Sequence, residues 1–291
     1  MRGRIVKGVG GFYDVDTEQG VYRCRARGLF KKENMTPTVG DEVDMEITHE
    51  GDREGVVLAI YPRRNLFVRP PISNVDTIVV VVAAKDPDPS LQLIDKFLIT
   101  GEMSDVDLIL CVNKVDLAGE AELEPFRRIY EPLYPVLYIS AGKGKGIGAL
   151  KEAIAGKHVA LAGPSGVGKS TILNLLHEAA EAETGTVSGK TGRGRHTTRH
   201  VEIFPMDHGG LLYDTPGFTS LDPPDMEEEE LAYYFPEMRD LLGGCRFDNC
   251  RHLKEPDCAV TAAVEAGDIA RERYDSYVLL MEELRAKDPY A

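Results

Sequence analysis

The sequence predicts a multidomain chain in three parts. These are a small β-barrel over residues 1–68, an α/β domain with a largely parallel sheet over 69–222, and a mainly helical, cysteine-bearing tail over 223–291. Three observations predict it. Short strand-like runs broken by turn residues fill the first 68 positions. Four continuous apolar runs of strand length then alternate with helical stretches. After "DPPDMEEEE" (222–230) strand patterns cease, and three of the five cysteines fall within fourteen residues.

In the first part, "GRIVKGVGGFYDVD", "GVYRCRARG", "DEVDMEIT" and "GVVLAIYPR" read as strands separated by "DTEQG", "TPTVG" and "EGDREG". Five strands in so short a span suit an OB-fold, and an SH3-like barrel is the competing reading. "RPPISNVD" (69–76) ends this texture. "TIVVVVAA" (77–84), "VDLILCVNK" (106–114), "PVLYISA" (135–141) and "HVALAG" (158–163) are apolar on both faces, as in a parallel sheet covered on both sides. "LQLIDKFLITGEM" and "IGALKEAIAG" are helical between them. "GGLLYDTPG" (209–217) adds a strand-to-loop junction with "VEIFPM" (201–206) as its antiparallel neighbour. The tail ends in "DIARERYDSYVLLMEELRAK", an amphipathic helix with Asp268 expected as N-cap.

The composition excludes several classes. A 43% hydrophobic and 28% charged chain is globular, no apolar run approaches the ~20 residues of a membrane span, and the start lacks a signal-peptide core. A cytoplasmic protein without membrane contact is expected. A net charge of −14 argues against coating nucleic acid through bulk electrostatics. The charge is uneven: residues 1–70 carry +1, 71–222 carry −6 and 223–291 carry −9. Nucleic-acid contact is therefore expected from the first part, through Arg23, Arg25, Arg27, Lys31 and Lys32, or from a local basic loop. Cys24 and Cys111 lie in strand-like surroundings, where free cysteine is a small core hydrophobe.

"GPSGVGKS" (163–170) fits G-x-x-x-x-G-K-[ST] after an apolar strand and before a helix start, the context of a phosphate loop. Gly163, Pro164, Ser165, Gly166, Val167, Gly168, Lys169, Ser170 and Thr171 are its candidate binding residues. The glycines let backbone N–H groups face the anion. Lys169 reaches the β/γ-phosphates, and Ser170 holds Mg²⁺. In "DTPG" (214–217) Asp214 is expected on Mg²⁺ through water, and the Gly217 N–H on the γ-phosphate. In "NKVD" (113–116) the Asp116 carboxylate can accept a fork of hydrogen bonds from guanine N1–H and N2–H₂, which adenine cannot offer. Asn113 tethers that loop, and the Lys114 stem lies along the ring. "ISA" (139–141) is the companion loop, with Ser140 beside the base and the Ala141 N–H offered to guanine O6.

The base-reading loops thus precede the phosphate loops, the reverse of the usual order. Compact domains keep their termini close, so joining one loop and opening another leaves the sheet intact. The central part is expected to be a P-loop GTPase domain with circularly permuted motifs.

Cys245, Cys250, His252 and Cys258 form C-x₄-C-x-H-x₅-C. Three thiolates and an imidazole make a closed tetrahedral set for one structural Zn²⁺, able to staple a small helical domain. His49, His177 and His208 have no such companions.

The chain resembles the circularly permuted, small-ribosomal-subunit-dependent GTPases of the RsgA/YjeQ type. The resemblance rests on the barrel, "NKVD", "SA", "GPSGVGKS", "GRGRHTT", "DTPG" and the Cys/His cluster, in that order over nearly the full length. It implies an OB-fold, a zinc domain, and GTP hydrolysis stimulated by the 30S subunit, with 16S rRNA and GTP/GDP as partners of a monomer. It places "GKTGRGRHTTRH" (189–200) as the first switch loop, with Thr198 on Mg²⁺ and the γ-phosphate and Thr197 as the fallback. It also suggests that His196 supplies the catalytic role that Gln fills elsewhere, since Phe218 after "DTPG" cannot position water. His196 beside Arg195 equally suits an rRNA phosphate contact. Two other readings are a nucleotide-dependent RNA- or ribosome-binding module in which hydrolysis is incidental, and a P-loop kinase. The kinase leaves "NKVD", "SA" and the cysteine cluster unexplained.

Overall fold

The computed structural model describes residues 1–28, 30, 35–184, 201–207, 209–215, 218 and 226–287, with the helical backbone alone for 178–184. The chain divides into two compact units, 1–78 with 148–161 and 170–219, and 79–147 with 162–169 and 220–291.

The first unit opens with β1 (Arg2–Val9), β2 (Phe12–Thr17), β3 (Gly20–Ala26), β4 (Glu42–His49) and β5 (Glu54–Ile60). The run "GRIVKGVGGFYDVD" is two strands, because the chain doubles back at Gly10 and Gly11 with φ of +60° and +82°. Two successive left-handed residues are what a two-residue hairpin with the right twist needs. The strands pair in the order β1-β2-β3-β5-β4, and β4 returns to β1 to close the barrel. β3 and β5 run parallel. A meander makes no such pair, so the closure is of the OB type rather than SH3-like. Alternation turns Ile5, Val15, Tyr22, Cys24, Val43, Met45 and Val57 inward, all buried. Burial also pushes the Cys24 thiol up to about 11, in keeping with a packing role.

After the barrel, β6 (Leu66–Phe67) and β7 (Ile72–Ser73) form a short antiparallel pair within the proline-bearing stretch. Asp41, wholly buried, accepts from Arg63 Nε and Nη2, both at 2.7 Å, from Ser73 Oγ at 2.6 Å and from the Thr38 N–H at 2.7 Å. A buried carboxylate is tolerable only when so fully satisfied.

The strand β8 (Thr77–Ala83), whose residues from Val79 on open the second unit, is buried along its length. The helix α1 (Leu91–Met103) follows, opened by Ser90 Oγ accepting from the Leu93 N–H. Then come β9 (Asp107–Asn113), α2 (Glu120–Ile129) and β10 (Val136–Tyr138), with β9 and β10 parallel. Cys111 is buried in β9, and its thiol is pushed up to about 12 by burial.

The helix α3 (Ile147–Ile154) leads to β11 (His158–Ala162) and, after the phosphate loop, to α4 (Lys169–Thr184). β12 (Glu202–Pro205) and β13 (Leu211–Asp214) are antiparallel, as expected, and β11 is parallel to β13. β12 also pairs with β1 at Lys7↔Glu202, where Lys7 Nζ lies 3.0 Å from the Glu202 carboxylate. Within the first unit, barrel and phosphate-bearing strands therefore share one hydrogen-bonded sheet.

The tail contains α5 (Pro236–Arg239), α6 (Ala259–Ala266) and α7 (Arg271–Lys287). The last helix starts at Arg271, two residues later than an N-cap at Asp268 implies, and Asp268 is not its N-cap. Gly267 at φ +85° ends α6, and the Asp268 N–H donates to the Ala263 carbonyl at 2.9 Å, so Asp268 belongs to a helix C-cap. Phe235, Met238, Val260, Tyr277 and Met281 share one core with Ile99 of α1. At its edge Arg273, wholly buried, donates to Asp95 Oδ1 at 2.6 Å and to both Glu237 oxygens at 2.6 and 3.1 Å. Tyr130 Oη also donates to Asp95, at 2.9 Å. Removing one partner leaves buried charge uncompensated, so Arg273→Met should destabilise the protein by about 3–5 kcal/mol in urea unfolding.

Candidate nucleotide site and metal centre

Strand pairing decides where the expected ligands emerge. The β9/β10 register, Val112↔Tyr138, brings Asn113 and Ser140 to one sheet edge. In the first unit the parallel β11/β13 register pairs Ala160 with Tyr213, the residue before Asp214. In parallel sheets this carboxyl edge is where ligands bind.

Asn113, 2% exposed, joins three of the loops. Its Nδ2 donates to the Val167 carbonyl at 2.8 Å, and its Oδ1 accepts from the Ala141 N–H at 2.9 Å. The Ala141 N–H, expected to face guanine O6, is thus engaged by Asn113 in this structure. Asp116 is exposed, and Ser140 Oγ donates to its Oδ1 at 2.5 Å. That hydrogen bond, with Lys143 and Lys145 nearby, holds the Asp116 carboxyl below its ordinary value and so keeps it an acceptor. Lys114, at φ +61°, donates from Nζ to the Asp86 carbonyl. Sequence reasoning missed Asp86, whose only signal is its place in the turn "KDPDPS" after an apolar strand.

In the phosphate loop the glycines are required by close packing. A Cβ on Gly163 (φ +140°) would stand 2.0 Å from the Val81 carbonyl, and one on Gly168 (φ +102°) 2.3 Å from Asn113 Nδ2. Val167 is buried, whereas Ser165, Ser170 and Thr171 are exposed and Pro164 is half-buried. Asp214 is half-buried at the end of β13. Lys169 Nζ donates to the carbonyls of Gly163 at 2.7 Å and Pro164 at 2.6 Å.

Burial pulls the Lys169 pKa down to about 8. A bound phosphate favours the charged amine, so nucleotide binding takes up a proton once the pH passes that value. GTP affinity should therefore fall by up to about tenfold per pH unit above 8. Calorimetry in buffers of different ionisation enthalpy would register the proton taken up.

Phe218 is 1% exposed and packs edge-on against Phe67, with ring centroids 6.2 Å apart. The first residue after "DTPG" is thus a core residue. Gly217, Arg195, His196, Thr197, Thr198, His208, Lys31 and Lys32 lie outside the described residues.

In the tail, the ligand atoms of Cys245, Cys250, His252 and Cys258 all lie within 4.8 Å of one another. Cys245 Sγ is 3.8 Å from Cys258 Sγ, and His252 Nδ1 is 3.5 and 3.4 Å from these two sulfurs. A tetrahedral metal with bonds of ~2.3 Å to sulfur and ~2.1 Å to nitrogen has ligand edges of about these lengths, so the donor set fits a metal ion. The Tyr274 and Tyr277 hydroxyls donate to the carbonyls of His252 at 2.9 Å and Arg251 at 2.8 Å. Burial works against ionising Glu255, yet it is held down to about 2 by the N–H groups of Arg251, Leu253 and Lys254. The loop bearing His252 is thereby fastened from both sides. Among the described residues no helix is long and apolar enough to cross a membrane.

Comparison with known proteins agrees with this arrangement. The family model described as RsgA GTPase matches residues 60–224, and that of the RsgA N-terminal domain matches 2–57. "Small ribosomal subunit biogenesis GTPase RsgA" of Caldanaerobacter subterraneus subsp. tengcongensis is 45% identical over 99% of this chain and 97% of its own. The protein of the same name from Alkaliphilus metalliredigens is 41% identical over 99% of each chain. The crystal structure of YjeQ from Thermotoga maritima superposes with a TM-score of 0.84 at 37% identity, covering 98% of this chain and 99% of that one. YloQ, described as a circularly permuted GTPase, gives 0.79 at 39% identity, covering 100% and 96%. With both family models matched and relatives aligned end to end, the chain belongs to the RsgA family of circularly permuted GTPases.

Proposed function

We propose that this GTPase acts in late maturation of the 30S ribosomal subunit and that the subunit stimulates its hydrolysis of GTP. The observation that carries the site assignment is the Asn113 side chain, which ties "NKVD", "SA" and the phosphate loop together. The small-subunit role rests on the names of relatives aligned over nearly the whole chain. In this reading Asp116, oriented by Ser140, reads guanine N1–H and N2–H₂. Ala141 turns its N–H from Asn113 toward O6, and Lys114 flanks the ring. The loop from Gly163 to Thr171 wraps the phosphates, with Lys169 on the β/γ oxygens and Gly217 on the γ-phosphate. Ser170, Asp214 and Thr198 would hold Mg²⁺, which when bound neutralises phosphate charge. The Cys₃His set holds zinc, because soft thiolates with one imidazole suit that ion.

The functional division is proposed at 1–68, 69–222 and 223–291. The partners are 16S rRNA on the 30S subunit and GTP/GDP, the protein working as a cytoplasmic monomer away from membranes. His196 carries the ribosome-stimulated step. His196→Ala should abolish stimulated turnover while leaving GTP affinity unchanged, and normal stimulated turnover would remove that role. One observation favours a second reading, a GTP-dependent binding module with incidental hydrolysis. Phe218, buried against Phe67, offers nothing polar to orient water. Multiple-turnover GTP hydrolysis with and without 30S subunits separates the two. Strong stimulation supports the enzyme, and equal rates would overturn the ribosomal role in catalysis.

A further inference from the structure

The segment "KDPDPS" (85–90) lies beside the proposed nucleotide site and is fixed at both ends. The Ala84 N–H, just beyond β8, donates to the Asn113 carbonyl at 2.8 Å, and Ser90 caps α1. Between these points the segment touches two of the loops that Asn113 joins. The Asp86 carbonyl accepts from Lys114 Nζ, and a Cβ on Gly166 of the phosphate loop would stand 3.8 Å from Pro87 Cδ. Residues 86 and 87 therefore bridge the base-reading loop and the phosphate loop. The three charged side chains of the segment are not equivalent. Lys85 Nζ donates to Glu122 Oε1 at 3.0 Å, and the charge of Asp88 also acts on Lys85. Asp86 is exposed, and its carboxylate makes no ion pair among the described residues. The backbone at Asp86 is left-handed, with φ +53°, a conformation that Asp takes more readily than most residues.

We propose that the Asp86 carboxylate accepts hydrogen bonds from the ribose hydroxyls of the bound guanine nucleotide. The inference rests on the nucleotide site proposed above and adds the subsite for the sugar. In a nucleotide the ribose joins the base to the α-phosphate. With the base on Asp116 and the phosphates in 163–171, the sugar has to cross the gap that residues 86 and 87 span. A carboxylate is the group with which dinucleotide-binding folds hold a ribose 2′-hydroxyl, because it accepts and offers no competing donor. Of the two carboxylates in the segment, Asp86 belongs to the residue that itself meets Lys114. Being exposed, it contributes less than a buried carboxylate would, since water competes for the hydroxyls.

The test is calorimetric titration of the full-length protein with GDP and with 2′,3′-dideoxy-GDP, which lacks both hydroxyls. Wild-type protein should bind GDP about fivefold or more tightly than the analogue. Asp86→Gly removes the carboxylate at a position whose backbone suits glycine, and it keeps the carbonyl that meets Lys114. It should weaken GDP binding about fivefold, leave the analogue unchanged and so bind the two alike. Asp86→Asn, with one acceptor oxygen left, should keep part of the preference, and Asp88→Ala should keep all of it. Thermal unfolding checks each fold, and the ratio of the two affinities is insensitive to a general loosening of the segment. A preference in Asp86→Gly equal to that of the wild type overturns the proposal. So does an equal rise in both affinities, which would show that the carboxylate only repels phosphate. Wild-type protein that binds GDP and the analogue alike overturns this subsite alone. Protein that binds no guanine nucleotide overturns the site on which the subsite rests as well.

Discussion

Asp116→Asn is expected to weaken GTP binding by about a thousandfold. The carboxylate is the only group in "NKVD" that can accept from guanine N1–H and N2–H₂ together. Each hydrogen bond to a charged group contributes roughly 1.5–3 kcal/mol, and the amide turns one acceptor into a donor facing a donor. Xanthine has an oxygen where guanine has the exocyclic amine, so the variant should prefer xanthosine triphosphate. Ser140 Oγ can still donate to the amide oxygen, so the loop keeps its support. Competition between the two nucleotides for the variant, read by equilibrium binding, tests this. Retained GTP preference would remove Asp116 from the base site.

Cys258→Ser is expected to abolish metal retention and to unfold the tail locally. Binding of a structural zinc contributes on the order of 10 kcal/mol to folding of its domain, comparable with a whole domain's stability. Cys258 is both a candidate ligand and the residue preceding α6, and it lies in the core shared with Phe235 and Tyr277. Amides of 245–266 should lose protection from hydrogen exchange, and elemental analysis should find no zinc. GTP affinity should hold within about threefold, because no proposed nucleotide ligand lies in the tail. A folded, protected tail without metal would show the cluster to be ordinary packing.

Much of this was legible in the chain because its signals are local. A strand, a glycine-rich turn and a helix start specify a phosphate loop wherever they sit, since the turn geometry and the helix N-terminus belong to adjacent residues. The Cys/His cluster is equally local, and its four ligand atoms do meet. Helix α1 coincides with its apolar pattern, and β12 does pair with β13. The misreadings came where distant partners decide. Asp268 looks like an N-cap until Ala263 claims its N–H. By contrast the five-strand count of the barrel holds, with Gly10 and Gly11 folding the first run into two of its strands.

By itself, then, the sequence determined the order of motifs, the carboxylate proposed to read guanine, the glycine-rich phosphate-loop pattern and the Cys/His set that could hold a metal ion. These are matters of residue type and short spacing. Only the tertiary structure decided that one buried amide, Asn113, holds three loops together and that β1 and β12 join the barrel to the phosphate strands. It alone decided that Arg273 reaches Asp95 across 178 positions. Such contacts arise from which surfaces must be buried against each other, and no short window of sequence carries that information.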